Sequence, residues 1–382
     1  MRIYLDHNAT TPVRDEVVEA MLPVLRERFG NPSSTHAFGA EARADLERAR
    51  ARVAALLGAA PEEVIFTAGA TEANNAAIGG LLRRRAARQR QAVTTTIEHP
   101  SVAEPFTALE SDGWQIRRVR VDAGGRVDPE EVAAAITEQT ALVSVMWANN
   151  ETGVIQPIEA IAEIAAARGC VLHVDATQAV GKVPVDLGRV PIDLLSASAH
   201  KLNGPKGAGC LVVRGDLGLD TWIRGGPQER RRRGGTQNVA GIVGFGVACE
   251  LAARELAARA DRCRALRDRL WRGIRAKVPR VRRNGSEEHV LPNTLNVEFE
   301  GAAGDVLLEA FDLEGVAVSA GAACASGLIE PSPVLVAMGR SPAAARGSLR
   351  FSVGEGVDEA QIDHVVALLP DLVQRAREVV SA

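Results

Sequence analysis

The sequence predicts an α/β protein in which a mainly parallel sheet is followed by a smaller α+β unit. Between residues 60 and 213, short apolar runs rich in β-branched residues alternate with alanine-rich segments whose apolar residues recur at helical spacing. Repeated strand–helix–strand units predict a parallel sheet covered by helices on both faces. The chain has 382 residues, more than the roughly 250–300 that one hydrophobic core usually supports. We therefore expect two domains.

The strands and helices of the first region follow from this alternation. The predicted strands are the short apolar runs Val64–Thr67, Ala92–Thr96, Ala141–Trp147, Val171–Asp175, Leu194–Ser198 and Gly209–Val213. The predicted helices are the segments Glu72–Arg85, Pro129–Ile136 and Pro157–Arg168.

The second region begins with a long helical pattern. Asn238–Val278 predicts either one very long helix or two stacked helices that leave the large domain. The elements predicted after it are the strand Asn293–Phe299, the helix Gly304–Glu314, the strands Val316–Ala320 and Ser348–Val353, and the helix Asp358–Val379. We expect a large domain of residues 13–255, and a small domain of residues 1–12 and 256–382.

Composition and charge exclude several classes of protein. The 45 Lys and Arg residues against 48 Asp and Glu give a net charge of −3, which argues against a dedicated nucleic-acid binder. No uninterrupted apolar run reaches the ~18 residues of a membrane span, and the start MRIYLDHNATTP lacks an apolar signal-peptide core. Five widely spaced cysteines without a CxxC pair predict neither a disulfide framework nor a metal site. We therefore expect a cytoplasmic protein.

Lysine is rare in this chain, and one lysine stands at a place suited to chemistry. Only Lys182, Lys201, Lys206 and Lys277 are lysines. Lys201 directly follows an apolar strand and precedes a glycine-rich turn. A lysine against apolar walls has a lowered pKa and can form a Schiff base with a carbonyl group. A solvated turn lysine is the alternative, and it fits Lys206 better.

Two further features sit where strands end. Asp175 closes an apolar strand at the edge where open α/β sheets bind ligands, and it could hold a protonated ring nitrogen or cap the next helix. The turn Phe66–Glu72 is made of small residues and leads into a helix, which suits a phosphate but also an ordinary tight turn. An amine, an acid and a phosphate turn together are what pyridoxal phosphate requires.

A cysteine in an unusual setting completes the set. Cys324 lies in the small-residue run Ala320–Gly327, outside any helical or strand period. An unshielded cysteine in such a loop predicts a reactive thiol rather than a packing residue.

These features occur within a longer series of motifs. In order, they are Tyr4–Pro12, Gly69–Glu72, Glu98-His99, Asn149–Gly153, His173–Gln178, Ser198–Lys201, Gly234–Thr236, the cysteine loop and Leu349–Ser352. The chain thereby resembles the pyridoxal-phosphate-dependent cysteine desulfurases of the NifS/IscS group, in the class V aminotransferase family. The resemblance implies fold type I, with a mainly parallel seven-stranded sheet between helices and a small α+β domain that carries the cysteine loop.

The resemblance also implies roles for the matching residues. Lys201 would be the Schiff-base lysine, Asp175 the partner of the pyridine nitrogen and Gln178 the partner of the ring hydroxyl. His99 would stack on the ring and move protons. The phosphate would be held by Ala70, Thr71, Ser198, His200 and, from the neighbouring subunit, Thr236.

For the substrate, the resemblance implies that Arg350 binds the carboxylate and that Asn150 lies beside ring and substrate. The reaction would convert L-cysteine to L-alanine, with the sulfur held as a persulfide on Cys324. The enzyme would be a homodimer that passes sulfur to an iron–sulfur scaffold or to a tRNA or cofactor thiolation enzyme, without binding nucleic acid itself. The cysteine loop departs from the family in reading Gly-Ala-Ala-Cys-Ala-Ser, where Gly-Ser-Ala-Cys-Thr-Ser is common.

Other functions fit parts of this pattern. A selenocysteine lyase or a small-substrate aminotransferase would share the fold, although an aminotransferase has no use for the thiol. A non-catalytic scaffold could also keep the fold, but the presence of Lys201, Asp175 and Cys324 argues against it. The small residues of Cys324–Pro333 predict a loop that moves.

Overall fold

A computed structural model describes residues 2–85, 89–320 and 330–381. Cys324 and most of its predicted mobile loop lie outside the described residues.

The first region folds into alternating helices and strands. They are α1 (Asp15–Arg26), α2 (Ala37–Leu57), β2 (Val64–Thr67), α3 (Ala70–Arg85), β3 (Gln91–Thr95), α4 (Pro100–Ser111), β4 (Gln115–Val119), α5 (Pro129–Ala135), β5 (Thr140–Met146), α6 (Ile158–Ala167), β6 (Val171–Asp175), β7 (Leu194–Ser198) and β8 (Gly209–Val213), after the short strand β1 (Ile3–Tyr4). The predicted strands agree with these bounds to within one residue at each end.

Seven of these strands form one sheet in the order β2-β8-β7-β6-β5-β3-β4. Only β8 runs antiparallel to its neighbours, and the remaining pairs are parallel. This confirms the predicted seven-stranded, mainly parallel sheet. The strand β4 was not predicted, because it lies at the sheet edge and its sequence Gln-Ile-Arg-Arg-Val leaves most side chains exposed.

Helices cover both faces of this sheet. Successive strand residues point to opposite sides, and both sides carry apolar residues that need to be buried. Leu195 in β7 packs on one face with the buried side chains of α2 and α6, whereas the adjacent Leu194 packs on the other face with those of α3 and α4. His173, in the middle of β6, lies within hydrogen-bond distance of the hydroxyls of Ser144 and Ser196. Burial lowers its pKa to about 4, so it is a neutral core residue.

The last third of the chain builds a second core. Its elements are α7 (Val239–Lys277), β9 (Val281–Asn284), β10 (Thr294–Phe299), α8 (Gly304–Leu313), β11 (Val316–Ala317), β12 (Ser319–Ala320), α9 (Pro333–Ala337), α10 (Pro342–Arg346), β13 (Ser348–Ser352) and α11 (Glu359–Ser381). An antiparallel sheet of order β12-β13-β10-β9 packs against α7, α8 and α11. The N-terminal strand β1 pairs with β11, and Ile3 and Leu5 are buried in this core.

The predicted strand Val316–Ala320 is wrong in one respect. The segment forms two short strands that belong to different sheets: Val316–Ala317 pairs with β1, and Ser319–Ala320 pairs with β13. The segment Val-Ala-Val-Ser-Ala is one small-residue run in sequence, but the chain changes hydrogen-bonding partner at Val318.

The long helical pattern forms the single helix α7. Asn238 caps its start by accepting a hydrogen bond from the Gly241 N–H at 3.1 Å. Ile242 and Phe245 pack in the core below the large sheet, whereas Leu270 and Ile274 pack in the second core. The predicted domain division at residues 255 and 256 falls inside this helix and stays a prediction. Within the residues described, no helix is long and apolar enough to cross a membrane.

Candidate active site

A cavity of about 950 Å³ opens at the carboxyl ends of the central parallel strands. Parallel strands place their ends at one edge of the sheet, where ligands bind in this class of fold. All the described residues predicted for the site except Thr236 line the cavity: Ala70, Thr71, His99, Asn150, Asp175, Gln178, Ser198, His200, Lys201 and Arg350.

Lys201 lies where β7 ends in a short 3-10 turn, and its amine reaches the N-terminal segment. The Nζ atom donates to the backbone carbonyls of Asn8 at 2.6 Å and Ala9 at 2.8 Å. Burial, and then the charge of Arg350, lower the pKa of Lys201 to about 8. The neutral, nucleophilic form of this amine is therefore more populated near pH 7 than in an ordinary lysine.

Asp175 is buried at the end of β6 and presents its carboxylate to the cavity. Its Oδ1 accepts the Thr177 N–H at 3.0 Å, and its Oδ2 accepts Asn74 Nδ2 at 2.8 Å. Asp175 thus bonds the turn after β6 and also faces the cavity. No helix lies between β6 and β7, a segment that the structure describes throughout, so the interpretation as a helix cap is wrong, and the contact with a ring nitrogen stays a prediction.

His99 precedes α4 and is held in one tautomer. The backbone N–H of Ser101 can only donate, and it reaches Nδ1 of His99 at 3.1 Å. The neutral ring therefore carries its proton on Nε2. Burial lowers the pKa of His99, and Asn74 links the Ser101 hydroxyl to the Asp175 carboxylate.

The predicted phosphate turn faces the end of β7. Helix α3 starts at Ala70, so the first backbone N–H groups of the helix point toward the cavity without helical partners. Gly209 allows this close packing, since a Cβ there would lie 2.7 Å from the Cα of Gly69. His200 follows β7 directly; its Nδ1 lies 3.1 Å from the Thr10 hydroxyl, and burial lowers its pKa to about 4.

Arg350, in β13, brings a cation from the second core into the cavity. Its guanidinium donates to the carbonyl of Asn150 at 2.9 Å and to the carboxylate of Asp6 at 2.6 Å. These two contacts use one hydrogen on each Nη atom, and each Nη carries a second one. The side chain therefore keeps donor capacity for a carboxylate.

Gln178 is fixed by two residues that the sequence analysis did not assign to the site. Its Nε2 donates to the carbonyl of Asn8 at 3.0 Å, and its Oε1 accepts Lys182 Nζ at 2.5 Å. Asn74 and Asp6 were also missed. A signal existed for two of them: Lys182 is one of four lysines, and Asn74 is a polar residue amid the alanines of α3.

These residues fit pyridoxal phosphate. The cavity offers a nucleophilic amine at Lys201, a buried carboxylate at Asp175 and a helix N-terminus at Ala70. The Thr177 hydroxyl lines it, buried and without a partner among the described residues, as expected where a polar ligand completes the site.

Thr236 lies apart from this cavity. It is exposed, three residues before α7 starts at Val239, and it does not line the cavity of its own chain. The predicted acceptor Cys324 lies outside the part of the chain that the structure describes.

Comparisons with known proteins agree with this geometry. Residues 3–365 match the sequence profile of the family "Aminotransferase class-V". The chain is 46% identical to a cysteine desulfurase of Enterobacter agglomerans, covering 98% of this chain and 93% of the relative. It is 44% identical to the cysteine desulfurase NifS of Azotobacter vinelandii, covering 99% and 94%. The solved structure of a NifS-like protein superposes with a TM-score of 0.91 at 38% identity, over all of both chains.

These matches extend over nearly the whole chain and include both cores. Enzymes of this family depend on pyridoxal phosphate, in agreement with the groups that line the cavity. The chain belongs to the class V aminotransferase family and, within it, to the cysteine desulfurases.

Proposed function

We propose that this cysteine desulfurase converts L-cysteine to L-alanine in the cavity at Lys201 and transfers the substrate sulfur to Cys324. The observation that carries the proposal is the convergence of three groups on one cavity: the amine of Lys201, the carboxylate of Asp175 and the guanidinium of Arg350.

The cofactor would be held by residues from several elements. Lys201 would bind its aldehyde carbon, Asp175 its ring nitrogen and Gln178 its ring hydroxyl, with His99 against the ring. The helix N-terminus at Ala70 and Thr71, with Ser198 and His200, would hold the phosphate. When bound, pyridoxal phosphate supplies an electron sink for the bonds made and broken at the substrate.

The substrate would be oriented by its carboxylate. Arg350 favours a bidentate pair with a carboxylate, and the Asn150 carbonyl and Asp6 hold the guanidinium in place. This arrangement would direct the substrate α-carbon toward Lys201, within the cavity that Asn150 also lines.

Proton transfer falls to Lys201 and His99. The lowered pKa of Lys201 lets its Nζ accept the substrate α-proton near neutral pH. Burial lowers the pKa of His99, so its ring is mainly neutral near pH 7. To move a proton, the ring would first take one up and then release it from the charged form, which gives up a proton readily.

Sulfur transfer needs a thiolate, and the reaction balances without an oxidant. Cys324 Sγ would attack the substrate sulfur, so that an S–S bond forms and the substrate C–S bond breaks. The bond pair stays with carbon, which takes up a proton and ends as alanine. Cys324 retains the sulfur as a persulfide.

The position of the described chain supports Cys324 as acceptor. Ser319 pairs with Arg350, and Ala320 pairs with Leu349. Cys324 follows Ala320 by four residues, so its Cα lies within about 14 Å of the Cα of Ala320. The chain length therefore allows Cys324 to reach the cavity that Arg350 lines.

The other four cysteines are poor candidates. Burial raises the pKa of each of these thiols, at Cys170, Cys210, Cys249 and Cys263. They are therefore mainly protonated at neutral pH, whereas the nucleophile must be a thiolate.

The proposal includes two kinds of partner: a second copy of this chain and a protein that accepts the sulfur. A homodimer would allow the exposed Thr236 to complete the phosphate site of the other subunit. The exposed side chains of Leu25, Phe29 and Phe38 offer apolar surface for such an interface. The persulfide would pass to a protein acceptor in the cytoplasm, for iron–sulfur cluster assembly or for tRNA or cofactor thiolation.

Reductive trapping tests the proposed amine. Borohydride treatment of the holoenzyme should attach the cofactor to Lys201, as identified by peptide mass spectrometry. Lys206 also lines the cavity, but it is exposed on the turn after Lys201. Label on Lys206, or undiminished label at the site in Lys201→Ala, would overturn the assignment.

A further inference from the structure

Lys182 is a half-buried lysine next to the active site, and the mechanism above does not use its amine. It lies in the turn after β6, and its Nζ bonds Gln178 Oε1 at 2.5 Å and Asn8 Oδ1 at 3.1 Å. Removing an amine from water is costly unless hydrogen bonds compensate. The two contacts of Lys182 therefore call for an explanation.

The contacts of Gln178 fix which way its carboxamide faces. The backbone carbonyl of Asn8 can only accept, so the atom 3.0 Å away must be Nε2 of Gln178. Its Oε1 then meets the donor Lys182. The second hydrogen of Nε2 remains for the cavity, which Gln178 lines.

Asn8 joins this pair of residues to Lys201. Its side-chain oxygen accepts hydrogen bonds from Lys182 and Asn293, and its backbone carbonyl accepts from Gln178 and Lys201. Lys182 thus bonds both Gln178 and the residue whose carbonyl receives the Lys201 amine.

We propose that Lys182 is a positioning residue that locks the Gln178 carboxamide with its nitrogen toward the cofactor's ring hydroxyl. This inference rests on the proposed cofactor site. Locked in this way, Gln178 presents a donor to the ring oxygen and favours its ionised form.

The surroundings of Lys182 suit an uncharged amine. Burial, followed by the charges of Lys201 and Arg350, lowers its pKa well below the usual value. The small cavity behind it brings further titratable and charged groups near, namely His7, Arg259, Cys263 and Glu355. A neutral amine still has two hydrogens, enough for Gln178 and Asn8.

The test compares Lys182→Met, Gln178→Leu and the double variant. Methionine matches the length of lysine but cannot donate, so Gln178 loses the partner of its oxygen. Two quantities are measured: the dissociation constant of pyridoxal phosphate from the apoenzyme, and the pH midpoint of the bound cofactor's absorbance. We expect each single variant to bind the cofactor about tenfold more weakly, the scale of one hydrogen bond to a charged group, and to raise the midpoint.

The double variant shows whether Lys182 influences cofactor binding through Gln178 or independently of it. If Lys182 acts through Gln178, the double variant matches Gln178→Leu, because the contact that Lys182 supports is already gone. Additive effects would overturn the proposal. Lys277→Met, at the exposed end of α7, is the matched control and should leave both quantities unchanged.

Two further arms separate the possible failures. If Lys182→Met leaves both quantities unchanged while Gln178→Leu alters them, the inference is wrong and the cofactor site stands. If Asp175→Ala also binds the cofactor as tightly as the parent enzyme, the proposed cofactor site is itself wrong. Should Lys182→Met fail to fold, as judged by apoenzyme melting, Lys182→Gln takes its place. A glutamine amide can still donate, so we expect it to lie between the parent and Gln178→Leu, and an effect as large as that of Gln178→Leu would count against the proposal.

Discussion

At the scale of single residues, burial tunes the titration of the groups around the cavity. Lys201, His99 and His200 all have lowered pKa values for this reason, which leaves neutral nitrogen available near pH 7. On an acid, burial has the opposite effect. It raises the pKa of Glu98, which precedes His99 in sequence, to about 8.

Glu98 therefore makes the stability of the apoenzyme depend on pH. Its Oε1 accepts hydrogen bonds from Thr95 and from the Met146 N–H, whereas its Oε2 has no partner among the described residues. Because the folded-state pKa is raised, folding binds a proton that the unfolded chain releases above pH 4.5. The stability supplied by this group is full below that pH and is lost as pH rises toward 8, by roughly 1.4 kcal/mol per pH unit.

Glu98→Gln should remove this loss, because the amide keeps the acceptor oxygen and does not ionise. We expect the free energy of unfolding of the variant, measured with urea, to decline less steeply than that of the parent between pH 5 and 8. The exposed Glu104→Gln in α4 serves as control and should follow the parent. Parallel curves for Glu98→Gln and the parent would show that Glu98 is ionised in the folded protein.

The sequence predicts those site residues whose chemistry follows from their position along one strand. Asp175 and Lys201 come where apolar strands end, so their placement at the sheet edge follows from local pattern. Asn74 and Lys182 act through contacts with side chains on other elements. Their partners, Asp175 and Asn8, are known only once the chain is folded, and a single sequence does not show that pairing.

At the scale of elements, one buried ion pair fixes the segment that leads to Thr236. Glu229, Arg230 and Arg231 all have left-handed backbone, with φ of 43°, 55° and 63°, which is costly for residues with side chains. Glu229 is held there by Arg50 of α2, with Nη1 to Oε2 at 2.8 Å and Nη2 to Oε1 at 3.0 Å. It also accepts the Phe66 N–H of β2 at 2.9 Å.

Breaking this pair on one side should be costly. Arg50→Met leaves the Glu229 carboxylate buried without its cation, and we expect the apoenzyme to lose about 3–5 kcal/mol of unfolding free energy. Arg50→Met/Glu229→Gln should recover part of that loss, because no buried charge remains.

The matched control comes from the same helix. Arg52 pairs with Glu250 at 3.0 Å on the exposed surface, and Arg52→Met should cost no more than about 1 kcal/mol. Equal losses for Arg50→Met and Arg52→Met would contradict the role given to the buried pair. Urea unfolding of the apoenzymes provides the comparison.

Elements also differ in how far the sequence predicts them. The central strands are fully buried, so their apolar runs are visible in the sequence. The edge strand β4 is mostly exposed, and its two arginines interrupt the apolar pattern from which a strand is predicted. The break at Val318 is set by two different neighbouring strands, β1 and β13, and is therefore not encoded in the local pattern.

At the scale of the whole molecule, the two cores and the proposed dimer together complete the site. The large sheet supplies Lys201 and Asp175, and the second core supplies Arg350. In the proposed dimer, Thr236 would add a contribution to the site of the other subunit. If the subunits share each site in this way, variants of Thr236 and Lys201 should complement one another.

The complementation experiment mixes Thr236→Ala and Lys201→Ala after subunit exchange has been shown with differently tagged chains. One site of each hybrid dimer then contains the intact Lys201 of one chain and the intact Thr236 of the other. We expect the mixture to regain desulfurase activity above that of either variant alone. Proven exchange without any gain would contradict a site shared between subunits.

The central claim is that Cys324 takes the sulfur of cysteine, and a single turnover tests it most directly. The holoenzyme is mixed with one equivalent of L-cysteine in the absence of reductant, and alanine and the mass of the Cys324 peptide are measured. The account predicts one alanine per sulfur atom added at Cys324. It also predicts that Cys324→Ser keeps its cofactor but forms almost no alanine, because serine cannot hold a transferable sulfur. Alanine formed by Cys324→Ser at the parent rate, or sulfur found on another cysteine, would contradict the account.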